Sequence, residues 1–422
     1  MQLRLRPALI DLLLVLSISI LWLLSPRPER AEDYCGRYVS LNARMGFVVN
    51  CDAGTYAWPA EFPARLLQKD QVRQSRPLYV LMGTVVGYPL SVVARLVSPG
   101  IDPRAPFHVG FALLNLIILY LSLLLFDALL TGSGVDALVA MPLALFIVAN
   151  DVTKAYVWTA HQQMFSLFTP LFALLIFQKI AAAPALPRTK LWSLSLALGL
   201  LPLVYGNLLI VLPVLLLADA LARRRSDAPK VRDVVARYGP AALLFVVPTL
   251  AWAGLVVWSA GSYYNHEVVV YRQLIWLVDA ARTGLGGFLD QAALNTRSYA
   301  RTFVSLELLP LAGASLLLAI GCVLPGRSAA TTPQDGSAGA RAIHRTGCFV
   351  VGGCLFLFFW SLGYYRTRLT FSLVPPALCL AAVEVTRLAG ADRRLLRRFS
   401  WALASAGCLW TAYHAIKYGP FS

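Results

Sequence analysis

Asp52 opens the segment Asp52-Ala53-Gly54-Thr55-Tyr56 and is the carboxylate best suited to proton transfer. A carboxylate within hydrogen-bond reach of an attacking hydroxyl takes its proton, which makes Asp52 the candidate general base. An anionic phosphate leaving group needs cations and hydrogen-bond donors more than it needs a proton. Arg366, Arg368, Arg272 and Lys154 are the candidates for that task, and the planar fork of arginine binds phosphate through two oxygens. Asp151, in Asn150-Asp151-Val152-Thr153-Lys154, and His161, in Trp158-Thr159-Ala160-His161-Gln162-Gln163, complete the set of candidate substrate-binding residues.

Each candidate also has a structural role open to it. Asp52 suits the N-cap of a helix starting near Gly54. Asp151 and Lys154 suit an exposed turn pair, His161 a hydrogen-bonded packing position, and Arg366 and Arg368 an interfacial belt. The sequence holds no metal-ligand spacing, glycine-rich phosphate loop or serine-nucleophile elbow. A divalent metal is left open.

Lipid is the solvent for the elements that must position these residues. Of 422 residues, 58% are hydrophobic and 14% charged, and the mean hydropathy is +0.65, whereas soluble domains carry about 25% charged residues. The apolar residues fall in runs long enough to cross a ~30 Å hydrocarbon core as helices. The net charge of +16 comes from Arg and Lys between these runs, where they fix orientation and meet anionic head groups, so nucleic acid is excluded as a partner.

About eleven spans are expected on length and hydropathy: 8–24, 106–130, 137–149, 158–177, 191–205, 207–221, 239–258, 303–324, 348–363, 369–388 and 400–416. Short basic loops stay in the cytoplasm. Arg223-Arg224-Arg225 through Arg237, the stretch 325–347, Arg393-Arg394 with Arg397-Arg398, and Arg4 with Arg6 therefore mark one side. These anchors agree only if one apolar stretch, 78–97, does not cross; with Pro89, two glycines and flanking Arg76 and Arg95, it reads as an interfacial or re-entrant helix. The N-terminus is then cytoplasmic and retained as a signal anchor, and the C-terminus is external. The whole chain forms one membrane domain, with a first external loop over 25–105, a second over 260–301 and a flexible cytoplasmic linker over 325–347. Cys35 and Cys51 share the first loop, and a disulfide or two free thiols both fit them.

With these features in place, the chain resembles the C-type (GT-C) membrane glycosyltransferases, which include protein O-mannosyltransferases and aminoarabinose transferases. Asp52-Ala53-Gly54-Thr55-Tyr56 resembles the acidic opening of that family's first external loop, and Arg76-Pro77-Leu78-Tyr79 the start of a juxtamembrane helix. Asn150-Asp151 stands where many members carry a second acidic residue. Tyr365-Arg366-Thr367-Arg368 before Pro375-Pro376 is similar to a late external arginine followed by a proline-containing helix. Ala53 stands where a second acidic residue would adjoin the first, and there is no large soluble C-terminal domain. The resemblance implies an all-α polytopic fold and inverting transfer of a sugar from a polyprenyl-phosphate donor to a glycan, lipid or protein acceptor at the outer face of the cytoplasmic membrane. Its rivals are a non-catalytic membrane scaffold of the same fold and a secondary transporter, which would place ionisable groups at the bilayer midplane.

Overall fold

The computed structural model describes residues 5–23, 36–42, 46–223, 231–323, 336–390 and 392–418. Helix α1 (Leu5–Leu23) is followed by a hairpin of β1 (Gly36–Ser40) and β2 (Gly46–Asn50), antiparallel with Gly36 opposite Asn50. Then come α2 (Ala53–Glu61), α3 (Pro77–Val97), α4 (Ala105–Gly132), α5 (Ala137–Val148), the short α6 (Asp151–Tyr156), α7 (Phe165–Ala182), α8 (Arg188–Leu198), α9 (Val211–Arg223) and α10 (Val231–Ala260). The chain continues through α11 (His266–Val269), α12 (Ile275–Thr302), α13 (Leu309–Val323), α14 (Gly336–Leu362), α15 (Thr367–Thr370), α16 (Val374–Ala389) and α17 (Arg393–Tyr418).

The protein is an all-α multi-pass membrane bundle, apart from the two-stranded hairpin among the described residues. By length and composition, seven helices can cross a membrane, or eight if α12 and α13, bent by 77° to each other, count as one span. The expected eleven spans are thus not all matched. Ala8–Leu23 and Ala137–Val148 are shorter apolar helices, and α8 has only 11 residues before the chain turns into a 3-10 segment. Residues 260–301, expected as a loop, are largely helical in α11 and α12. The linker expected over 325–347 is helical from Gly336 onward, because α14 begins there; 324–335 lie outside the described residues.

With lipid outside the bundle, close packing and internal hydrogen bonds hold helices together more than water exclusion does. The segment Thr367–Ala389 is the most enclosed span, with 89% of its apolar window buried, against 17% for Val231–Ala260. Small residues on α16, among them Cys379, Ala381, Ala382 and Ala389, let its neighbours approach. Helices α3 and α4 meet closely at Gly87 and Gly110: a Cβ added at Gly110 would stand 2.9 Å from the Cα of Gly87. Only glycine permits that backbone contact.

The bundle has two chemically different ends. At one, Asp219 on α9 is held by Arg237 of α10 through two bonds of 2.7 Å, with the Tyr238 hydroxyl 2.9 Å away. Arg393 pairs with Asp136 at 2.6 Å, and Glu384 with Arg387 at 2.7 Å. Gln178 near the end of α7 donates to Ser133 just after α4, so these termini share the basic end. At the other end, the Trp158 indole donates to the Ser19 carbonyl of α1 at 2.9 Å, and Asn115 of α4 donates to the carbonyls of Tyr156 and Thr159 at 2.8 and 2.7 Å. The chain therefore leaves α1 and reaches Asn115 at the same end. Helix α3 runs antiparallel to the first turns of α4, with Tyr79 beside Asn115 and Gly87 beside Phe107. Helix α3, expected from the charge pattern not to cross, is one of the seven helices long and apolar enough to do so.

Candidate functional site

Strand β2 delivers Asp52 to the end where Asn115 and Thr159 lie. The Asn50 amide donates to the Thr159 hydroxyl at 2.9 Å, and the Asn50 side-chain oxygen accepts the Asp52 amide at 2.9 Å, turning the chain into α2. Ala53, Tyr56, Ala57 and Ala60 are fully buried at helical spacing and fix α2 against α3 and α4. Asp52 holds the N-cap position of α2 yet makes no side-chain cap bond. Its carboxylate is committed elsewhere. One oxygen pairs with Arg73 at 2.8 Å; the other faces Nε2 of His161 at 3.7 Å, too long for a direct hydrogen bond. Asp52 is 28% exposed at its side chain, whereas Arg73 and His161 are 3% and 4% exposed, so the carboxylate is the accessible member.

Arginines and tyrosines enclose this carboxylate. Arg73 lies over the Tyr56 ring at 4.1 Å and donates to Thr55 at 2.7 Å. Arg76 donates to the Tyr56 hydroxyl at 2.6 Å and pairs with Glu267 at 2.5 Å; Ser75 donates to the other oxygen of Glu267 at 2.9 Å. Tyr56 in turn donates to Gln162. From α15, Arg368 donates to the Tyr156 hydroxyl, while its carbonyl accepts from Gln163 at 3.1 Å. Gln74 ties the loop to the bundle: its side chain donates to the Gln68 carbonyl at 2.6 Å and accepts the Tyr264 amide at 2.9 Å. Three guanidinium groups thus stand near two carboxylates, leaving one positive charge in excess when His161 is neutral.

His161 is neutral at ordinary pH. Burial pulls it down to about 3, helped by the positive Arg368 and Arg73 and opposed by Asp52. Its Nδ1 accepts the Gln163 amide at 3.1 Å, which leaves the ring proton on Nε2, facing Asp52. For Asp52, burial acts upward, but the His161 N–H and the charges of Arg73 and Arg76 outweigh it and hold the carboxyl well below the usual range. Glu267 is likewise held below its usual value: burial acts upward, and Arg76, a backbone N–H, the Ser75 hydroxyl and Arg73 together outweigh it. Both are carboxylates at neutral pH.

Of the residues singled out in the sequence, Asp52, His161 and Arg368 come together here. Arg366 does not: it is exposed, and its guanidinium reaches the Tyr364 hydroxyl at 3.3 Å. Arg272 is also apart, 70% exposed and paired with Asp279 at 2.8 Å. Asp151 and Lys154 are buried instead of forming an exposed turn. Asp151 meets Nδ1 of His414 on α17 at 3.0 Å, and Lys154 lies 5.8 Å from the Trp22 ring centre. Burial, opposed by Asp151, brings the Lys154 amine down to about 7.

Arg73, Arg76, Tyr56, Tyr156, Gln162 and Glu267 were not among the candidates. The signal for the two arginines was their position in the same loop as Asp52. Cys51 is disulfide-bonded; Cys35 lies outside the described residues. Among the described residues, no group of three His, Cys, Asp or Glu side chains could hold a metal ion. Asp52 and His161 offer two ligands beside an arginine, which does not suit a divalent cation. The chain matches no known protein-family model, and no curated protein is significantly similar to it.

Proposed function

We propose that this protein is an inverting glycosyltransferase of the C-type membrane architecture, moving a sugar from a polyprenyl-phosphate donor to an acceptor at the outer face of the cytoplasmic membrane. The observation carrying this reading is one partly exposed carboxylate, Asp52, set among Arg73, Arg76 and Arg368 at the end of the bundle opposite its basic segments. Basic segments mark the cytoplasmic side, so the Asp52 end faces outward, with the N-terminus inside and the C-terminus outside. Membrane lipid surrounds the spans and admits the polyprenyl tail laterally.

In this reaction the acceptor oxygen forms a bond to the anomeric carbon as the bond from that carbon to the phosphate oxygen breaks. The bonding pair leaves with the phosphate, and the acceptor proton passes to Asp52. Displacement in one step inverts the anomeric configuration. The arginines stabilise the charge that collects on the departing phosphate. Asp52 held by Arg73 is a weak proton acceptor; a donor phosphate competing for Arg73 loosens that pair and raises the basicity of Asp52 when the substrate is present.

One observation favours the rival scaffold reading: Asp52, Arg73, Thr55 and Tyr56 form an interlocked network without a ligand. Purified protein in nanodiscs, given polyprenyl phosphates bearing labelled glucose, mannose, galactose or N-acetylglucosamine, separates the two. Release or transfer of one sugar with inverted anomeric configuration is expected. Inertness toward the whole panel, with no binding of polyprenyl phosphate, would leave the scaffold.

A further inference from the structure

Helix α12 is bent 77° from α13 and packs on the end of α14, where the Trp276 indole donates to the Ser361 carbonyl at 2.7 Å. The helix is broken at Gly284, where φ is 79°, and its two parts bring Trp276, Asp279 and Thr283 together with Gln291 and Asn295 around a pocket of about 410 Å³ that Tyr271 also lines. Such a volume is ordinary for a small-molecule site, ~300–1,000 Å³. The two larger pockets, of about 570 and 640 Å³, have almost wholly apolar walls, such as Phe349 and Leu357 in one and Leu309 and Leu409 in the other. This one differs in chemistry.

Asn295 is 4% exposed. Its carbonyl accepts the Gln291 amide at 3.0 Å, but its own amide nitrogen has no hydrogen-bond partner in the protein. A buried donor left unmatched costs free energy that a ligand oxygen would recover. At the rim, Arg272 and Asp279 pair at 2.8 Å, so the pocket mouth carries no net charge from them and does not select an anion. Tyr271 and Trp276 supply aromatic surface.

The pocket also communicates with the Asp52 site. Tyr271 stacks on Tyr364 at 4.7 Å and meets His266 edge-on at 5.3 Å. Burial first and the charge of Asp52 next push the Tyr271 phenol upward. Backbone strain fixes this corner: Arg272 and Leu274 have φ of 50° and 64°, and Gly363, at φ 70°, admits the Trp276 ring. Folding holds these residues in costly conformations around the pocket.

We propose that this pocket is the acceptor subsite and holds an uncharged, hydroxyl-rich sugar ring. The inference rests on the glycosyltransferase reading above. The aromatic side chains receive the C–H face of the ring, the Asn295 amide donates to a ring hydroxyl, and Asp279 and Arg272 exchange hydrogen bonds with others.

The test uses full-length protein in nanodiscs and ligand-observed NMR with the methyl glycosides of glucose, galactose, mannose and N-acetylglucosamine. At least one glycoside should bind saturably to wild type, with affinity about tenfold lower in Asn295→Leu, equivalent to ~1.4 kcal/mol. Gln291→Ala, at a less buried position, should weaken binding of the same glycoside and guards against misfolding of the first variant. Hydrolysis of the polyprenyl-phosphate sugar by water should persist in both variants. No saturable binding to wild type, or binding undisturbed in both folded variants, would overturn the proposal even if donor hydrolysis persists. Asn295-dependent glycoside binding without any donor hydrolysis would uphold a sugar pocket while removing the transferase reading beneath it.

Discussion

Arg366 and Arg368 are two residues apart and face different surroundings. Arg368 reaches Tyr156 beside His161, whereas Arg366 points to solvent and touches only Tyr364 among the partners described above. If the donor phosphate sits among Arg73, Arg76 and Arg368, removing the Arg368 guanidinium deletes a charge-assisted bond worth about 1.5–3 kcal/mol. Arg368→Ala should therefore weaken polyprenyl-phosphate binding at least tenfold, while Arg366→Ala should leave it within about twofold. Equal effects in a direct binding measurement would remove Arg368 from the phosphate site. Lys154 yields a different prediction. Its amine titrates near 7 in the folded protein, against about 10.4 when unfolded. Between these values the unfolded chain binds a proton that the folded one does not, so this group makes stability rise with pH. Lys154→Met should flatten the rise in unfolding temperature between pH 7 and 9; an unchanged slope would show that Lys154 stays charged. Neither property was legible from residue type. Asp151-Val152-Thr153-Lys154 reads as a polar turn, and packing against β2 and against the turn that follows the segment, with His414 and Trp22 alongside, buries it. Asp52 was legible, as the one acidic residue beside a Gly-Thr-Tyr run, but its partner Arg73 was not, because 62–76 carries no periodic pattern linking them.

Helix α3 is the element on which the topology turns. It satisfies every length and hydropathy test for a span, yet the charge pattern agrees on both sides only if it does not cross. A cysteine at Gly100, after α3, should label with an impermeant reagent from outside, as should one at Gln71. Labelling of Gly100→Cys only after permeabilisation would show that α3 crosses. The α3–α4 contact is equally testable. In Gly110→Ala the new Cβ meets the Gly87 backbone, and such overpacking costs about 1–3 kcal/mol, whereas Gly132→Ala on the same helix meets nothing. A lower unfolding temperature for the first alone is expected; equal temperatures would mean that the helices part freely. Charge counting singles out α3 as the stretch to leave uncrossed, since anchors on both sides fix the parity, whereas its length and hydropathy suit a span. It missed α12, where a mean hydropathy near neutrality and three glycines read as loop, because a helix interrupted at Gly284 shows no continuous apolar run.

At the scale of the molecule, composition identified the membrane bundle, and the side on which each end lies rests on the basic segments alone. The number of spans was less legible. Helices α1 and α5 are shorter apolar pieces and α8 has only 11 residues, and hydropathy alone cannot distinguish such a piece from a full crossing. Assembly also creates what no segment has alone: Asp52 from the first loop, His161 from the start of α7, Arg368 from α15 and Glu267 from α11 converge across more than two hundred residues of chain. The account stands on Asp52 acting as base at that convergence. The most direct test is sugar transfer by Asp52→Asn in nanodiscs, with donor binding and unfolding temperature measured on the same preparation. Asparagine keeps the shape and can accept a bond from Arg73, but it cannot take the proton. Transfer should fall by about 10²–10⁴-fold while donor binding survives. Transfer close to wild type from the folded variant would contradict the account.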